Sequence, residues 1–196
     1  MFGLWSAAGG VKARPEAGEA QLVARIAQGD RAAFQTLYRL YFPRLARFLD
    51  RMVRNPALLE EIINDTLMVV WQKAATYDHS CKVSTWVFAI AYRQGLKAVN
   101  GADGPVESDF SLHPGDASHE PENALGQQQR QQDIQRALAS LSFEQRTVMN
   151  LTYYHDMGYQ EIADTMGCPV NTVKTRMFHA RQRLRAMLST HMEELA

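Results

Sequence analysis

Two cysteines, Cys81 and Cys168, are all that the 196 residues contain. That scarcity excludes a disulfide-stapled fold, and their wide separation argues against a metal knuckle. It suits a reducing, cytoplasmic setting. No apolar run approaches the roughly 20 residues that span a bilayer. Residues 1–20, MFGLWSAAGGVKARPEAGEA, lack the continuous apolar stretch of a signal peptide, so neither membrane insertion nor export is expected. Strand-like alternation is missing over any useful length, as are internal repeats, phosphate-cradling glycine loops and nucleophile motifs. His79 and Cys81 stand two apart with no third partner at ligand spacing, so no metal or other cofactor is expected and catalysis has little support. Net charge is absent as well, 21 Lys+Arg against 21 Asp+Glu, which at first sight discourages a nucleic-acid partner.

The balance conceals a strong asymmetry. Residues 19–100 hold eleven Lys/Arg against seven Asp/Glu, and 136–196 hold seven against six. Residues 101–135 hold one base, Arg130, and seven acids. Neutrality is therefore an acidic middle cancelling basic flanks. That middle also has the composition of a linker: 101–132 carries four glycines, three prolines and a glutamine-rich end, with Phe110 its only aromatic. Such a stretch cannot bury enough apolar surface to offset its ordering entropy. The expected organisation is a tail at 1–18, a first domain at 19–100, a flexible acidic linker at 101–132, a second domain at 133–190 and a tail at 191–196.

What is there is helical patterning, and the expected fold is all-α with two small domains. Leu22, Val23 and Ile26 form a short stripe that Gly29 ends. Asp30 is a natural N-cap for a helix presenting Phe34, Leu37, Tyr38 and Tyr41 on one face, and Pro43 is expected to start or kink the next stretch. Asn55-Pro56 signals a turn. A long amphipathic helix through Leu59, Ile63, Leu67 and Trp71 follows. The polar loop TYDHSCKVS precedes a last helix expected at 85 to about 99, with Ser84 as its N-cap. In the second domain, Ser142 and Gln145 have capping-box spacing, and Met157-Gly158 is expected to end that helix. A short helix at Tyr159–Met166, the break Gly167-Cys168-Pro169 and a helix at about 171–188 complete a helix-turn-helix pattern.

The last helix carries the sharpest signal. Val173, Met177, Ala180, Leu184 and Met187/Leu188 repeat as one inner stripe, while Thr172, Thr175, Arg176, His179 and Arg183 form a polar one. Residues 167–188 hold five cations, Lys174, Arg176, Arg181, Arg183 and Arg185, and no acid. A helix entering a major groove needs this division, with short hydroxyl and arginine side chains at base edges and later arginines on phosphates. The bland alternative is a solvated basic helix on a bundle. Helix, glycine turn and basic helix together favour DNA.

These residues bring the chain to a family resemblance. Gly158-Tyr159-Gln160-Glu161-Ile162-Ala163, Asn171-Thr172-Val173-Lys174-Thr175-Arg176 and Ala180-Arg181…Leu184-Arg185 resemble region four of the extracytoplasmic-function (ECF) sigma factors of bacterial RNA polymerase, members of the sigma-70 family. Ser142, Asn171 and Thr175 stand where the family usually has Pro, Gly and Ser. That half alone also resembles the DNA-binding domain of many response regulators, and the first half separates the two. Glu60-Glu61-Ile62-Ile63-Asn64-Asp65-Thr66-Leu67…Val70-Trp71 and Thr85-Trp86-Val87-Phe88-Ala89-Ile90-Ala91-Tyr92-Arg93 are similar to region two. Departures there are Arg93, Lys97 and Asn100 where the family commonly has Asn, Asp and Arg, and Leu58 and Leu59 in place of acids.

The resemblance implies a promoter-specificity factor without its own catalytic site. Its candidate contacts to the minus-thirty-five element are Thr172, Lys174, Thr175, Arg176, His179 and Arg183. For the single-stranded minus-ten element they are Tyr77, His79, Lys82, Trp86, Tyr92, Arg93 and Lys97, where aromatic faces mix with cations as base stacking requires. Taken singly, Trp71 and Trp86 read better as core residues. Glu61, Asn64, Asp65 and Met68, neighbours on one helix face, would bind core polymerase. The implied partners are the polymerase β′ clamp helices and β flap, promoter DNA and an anti-sigma factor. Two other readings stay open: an autonomous dimeric helix-turn-helix regulator, and an enzyme with its active site among the first helices.

Overall fold

A computed structural model describes residues 15–53, 56–101, 137–138 and 140–194. The acidic linker, beyond Gly101, lies outside these residues, as do the first fourteen. Among the described residues all regular structure is helical, in agreement with the all-α expectation. α1 spans Pro15–Ala27, α2 Arg31–Asp50, α3 Pro56–Lys73 and α4 Val83–Gly101, with a 3-10 turn at Ala74–Thr76. In the second half α5 spans Phe143–Tyr154, α6 Tyr159–Met166 and α7 Val170–Glu194.

Local chemistry explains most boundaries. The Asp30 carboxylate accepts from the amides of Ala32 and Ala33, capping α2, and is held in place by Arg25 at 2.6 Å. Those amide and arginine hydrogen bonds hold the Asp30 carboxyl below the usual carboxylate range. Ser142 and Gln145 form the expected capping box, each side chain bonding the other's amide at 3.2 Å. Gly167 ends α6 at φ +64°, a left-handed conformation that costs glycine little.

Five boundaries differ from the sequence expectation. α1 begins at Pro15, inside the stretch expected to be a tail. α2 runs unbroken through Pro43. The interior proline costs about 3 kcal/mol, but Leu45, Phe48 and Leu49 beyond it are completely buried, each worth roughly 1.5–3 kcal/mol, so packing outweighs the local defect. α4 begins at Val83 rather than after Ser84, because the Trp86 amide already bonds the Lys82 carbonyl at 3.0 Å. α5 ends at Tyr154, before Met157-Gly158, with His155 at its C-cap. α7 continues to Glu194, through the start of the stretch expected to be a second tail.

Tertiary packing ties α1 to the bundle through a polar clamp. The Tyr41 phenol donates to the Glu19 carboxylate, and Arg44 pairs with Glu19 at 3.4 Å while covering the Tyr41 ring at 4.6 Å. Burial and the adjacent carboxylate push the Tyr41 phenol far above its ordinary pKa. One hydrophobic cluster then runs through both halves, from Val23 and Leu37 through Phe48 and Phe88 to Val148, Ile162 and Met177. α4 packs on α6, and α5 and α6 pack on α7.

Candidate nucleic-acid interface

α7 is anchored by Val173, Met177 and Ala180, all buried against α5 and α6. The helix therefore turns its other side outward. Of the six expected minus-thirty-five contacts, Lys174, Thr175, His179 and Arg183 are exposed on that side. Thr172 is half-buried at the first turn. Arg176 is half-buried as well, its guanidinium donating to Cys168 Sγ at 3.5 Å across the turn. Arg181 is drawn back to α5, where it donates to the Tyr153 phenol at 2.7 Å. Phe178 was not singled out by the sequence. It is 63% exposed, with its ring edge-on to His179 at 5.4 Å. Its signal was present: a large apolar residue off the buried stripe, in an otherwise polar face.

In the first half, Tyr77, His79 and Trp86 form an aromatic group at the loop before α4. Tyr77 lies 4.7 Å from His79 and 5.3 Å from Trp86, centroid to centroid. The Tyr77 phenol donates to the Cys81 carbonyl at 2.6 Å, closing the loop on itself. His79 adopts φ +61°, the left-handed region, so the loop carries local strain where its ring is presented. Arg93 and Lys97 are exposed on α4. One of the seven expected minus-ten residues is buried rather than exposed. Tyr92 is only 6% exposed, tilted against Phe143 at 5.7 Å, because the second half packs over it. Burial raises its phenol pKa, with Glu144 adding to the effect. Lys82 is engaged by Glu161 at 2.8 Å.

On α3 the expected polymerase-facing residues stand together. Glu61, Asn64, Asp65 and Met68 are all exposed, Met68 at 53%. The Tyr38 phenol donates to Asn64 at 3.3 Å, coupling that face to α2. Trp71 is partly buried, edge-on to Phe34 at 5.1 Å, as a packing residue. A cavity of about 200 Å³ opens between the halves, lined by Arg51, Met52, Leu138, Arg146, Met149, Asn150, Tyr153 and Tyr154. Its lining holds two guanidiniums, from Arg51 and Arg146, and two phenols, from Tyr153 and Tyr154. No helix among the described residues is long and apolar enough to cross a membrane.

Comparison with known proteins agrees with this geometry. Residues 37–103 match the family described as Sigma-70 region 2, and 131–184 match Sigma-70, region 4. The chain is 30% identical over 161 residues to the ECF RNA polymerase sigma factor RpoE of Cereibacter sphaeroides, covering 82% of this chain and 88% of that protein. It is 24% identical to the RNA polymerase sigma-H factor of Pseudomonas aeruginosa, covering 89% and 95%. Among solved structures, RpoE of Bartonella quintana, in complex with the anti-sigma factor NepR, superposes with a TM-score of 0.61 at 27% identity, covering 80% of this chain and 96% of that one. CnrH, in complex with the cytosolic domain of CnrY, shares the fold with a TM-score of 0.64 at 20% identity, covering 88% and 98%. With regions 2 and 4 matched in order and a relative aligned over most of both lengths, the chain belongs to the ECF branch of the sigma-70 family and is an RNA polymerase sigma factor.

Proposed function

We propose that the chain binds core RNA polymerase through the exposed face of α3 and reads promoters with two separate surfaces. The observation that carries this is the division of α7. Its apolar stripe is buried, while Lys174, Thr175, His179 and Arg183 face outward in a segment without acids. Thr175 and His179 can reach base edges of the minus-thirty-five element, and Lys174 and Arg183 its phosphates. Thr172 and Arg176 contribute at the first turns, and Phe178 adds an apolar contact suited to a thymine methyl.

The aromatic group of Tyr77, His79 and Trp86, with Lys82, Tyr92, Arg93 and Lys97, serves the minus-ten strand. Unstacked bases lie on the rings and phosphates on the cations, a stacking worth on the order of 1–3 kcal/mol per base. The two reading units are 19–100 and 133–190, joined by the acidic 101–132. Phosphodiester chemistry belongs to the polymerase, and this subunit, acting in the cytoplasm, selects the start site. An anti-sigma factor is an expected partner, since RpoE of Bartonella quintana was solved in complex with the anti-sigma factor NepR. In vitro transcription tests the reading. Purified core polymerase plus this chain should yield promoter-dependent transcripts, whereas operator binding without polymerase and without transcripts would overturn it in favour of an autonomous regulator.

A further inference from the structure

None of the residues assigned to DNA or to polymerase lines the cavity of about 200 Å³ between the two halves. Its lining divides by depth. Met52 and Asn150, 2% and 3% exposed, form the floor, whereas Arg51, Tyr153 and Tyr154 are exposed at the mouth. Both ends are held in place. Beneath the floor the Thr147 hydroxyl donates to Met52 Sδ at 3.3 Å. At the mouth the Arg51 guanidinium lies 3.5 Å from the centre of the Tyr154 ring, and the Tyr153 phenol accepts from Arg181 at 2.7 Å.

Three features of this lining point to one kind of occupant. The guanidiniums of Arg51 and Arg146 at one small opening favour an anion, and a carboxylate matches the guanidinium fork best. Met52, Leu138 and Met149 offer an apolar bed in which thioethers meet a ring favourably. The third feature is Asn150. Its side-chain N–H donates to the Phe48 carbonyl at 3.2 Å, which leaves Oδ1 buried with no hydrogen-bond partner. Buried acceptors are nearly always paired, so a donor belongs beside that floor. Size narrows the choice further. An apolar cavity of about 150 Å³ holds benzene, so this one suits a single ring with two short polar arms.

We propose that the cavity is a binding site for a small hydroxylated aromatic monocarboxylate. The ring lies on Met52, Leu138 and Met149, the carboxylate meets Arg51 and Arg146, and the hydroxyl donates to Asn150 Oδ1. The site uses neither the outward face of α7 nor that of α3. It adds a small-molecule ligand to the macromolecular partners, and its existence does not depend on which promoters the chain reads.

Titration of the full-length chain with 4-hydroxybenzoate tests this, with methionine methyl groups carrying the nuclear magnetic resonance label. The Met52 and Met149 signals should shift saturably, with a dissociation constant below about 1 mM, while that of Met68, exposed on α3, stays in place. The matching amide, 4-hydroxybenzamide, should bind about tenfold more weakly because it has no charge for the guanidiniums. Benzoate should bind about threefold more weakly because it leaves Asn150 unpaired. Arg51→Gln, a change at an exposed position, should weaken 4-hydroxybenzoate about fivefold. No saturable shift at Met52 and Met149 means that the cavity takes up solvent only, and overturns the proposal. Shifts spread evenly over the methionines mark nonspecific uptake and overturn it as well. Equal affinity for either analogue, or undiminished affinity in Arg51→Gln, would do the same.

Discussion

The His155 ring stands against Phe88 with centroids 4.6 Å apart and planes at 61°, so a residue at the end of α5 is seated on the core of the first half. Phe48 closes the same site at 6.0 Å. Burial, reinforced by the positive charges of Arg44, Arg47 and Arg51 and only partly opposed by Asp156, lowers the imidazole pKa from 6.5 to about 4. The folded chain therefore binds fewer protons than the unfolded one between those values. His155 contributes stability that is fully present above pH 6.5 and is lost as pH falls toward about 4. Denaturation midpoints measured from pH 8 to 4 should fall along this limb, and His155→Phe should flatten it. An unchanged slope in that variant would show that other groups set the acid limb.

Gly167 holds the turn between α6 and α7 at φ +64°, with open space where a Cβ would lie. Gly167→Ala should therefore cost about 1 kcal/mol through backbone strain alone, and Gly167→Asn less. Thermal unfolding checks the ranking, and binding to a minus-thirty-five duplex should fall in the same order, because the turn sets the angle at which α7 is presented.

Met68 is 53% exposed between the charged residues of α3. Met68→Glu should leave the melting temperature within a degree or two, since a surface change away from special features stays within about 0.5 kcal/mol. Core polymerase binding, followed by native gel or fluorescence anisotropy, should weaken at least tenfold. Full binding by this variant would remove α3 from the polymerase interface.

The α7 cations and hydroxyls should separate by assay. Lys174→Ala should weaken DNA binding about equally across sequences and reduce the salt slope by about 1. Thr175→Val and Arg176→Ala should reduce initiation at minus-thirty-five-dependent promoters while core binding stays intact. A variant of Arg176 that loses core binding would contradict this division of labour.

Charge asymmetry, helical periodicity and capping chemistry are properties of neighbouring residues, so the sequence by itself determined an all-α chain, the Asp30 and Ser142 caps, the Tyr159–Met166 helix and the polar and apolar stripes of α7. It also carried the family motifs, because those are strings of side chains read in order. What it could not reach were outcomes settled by packing between distant segments. Pro43 looked like a helix boundary until the burial of Leu45, Phe48 and Leu49 made one continuous helix worth its local cost. Tyr92, an apparent base platform, became a buried contact of Phe143, fifty-one positions away. Asn150 and His155 gained roles from partners in the other half, and Glu161, besides accepting from the Gly158 amide at the start of its own helix, gained an ion pair with Lys82. Local spacing decides which face a residue occupies, and tertiary structure alone decides what that face meets.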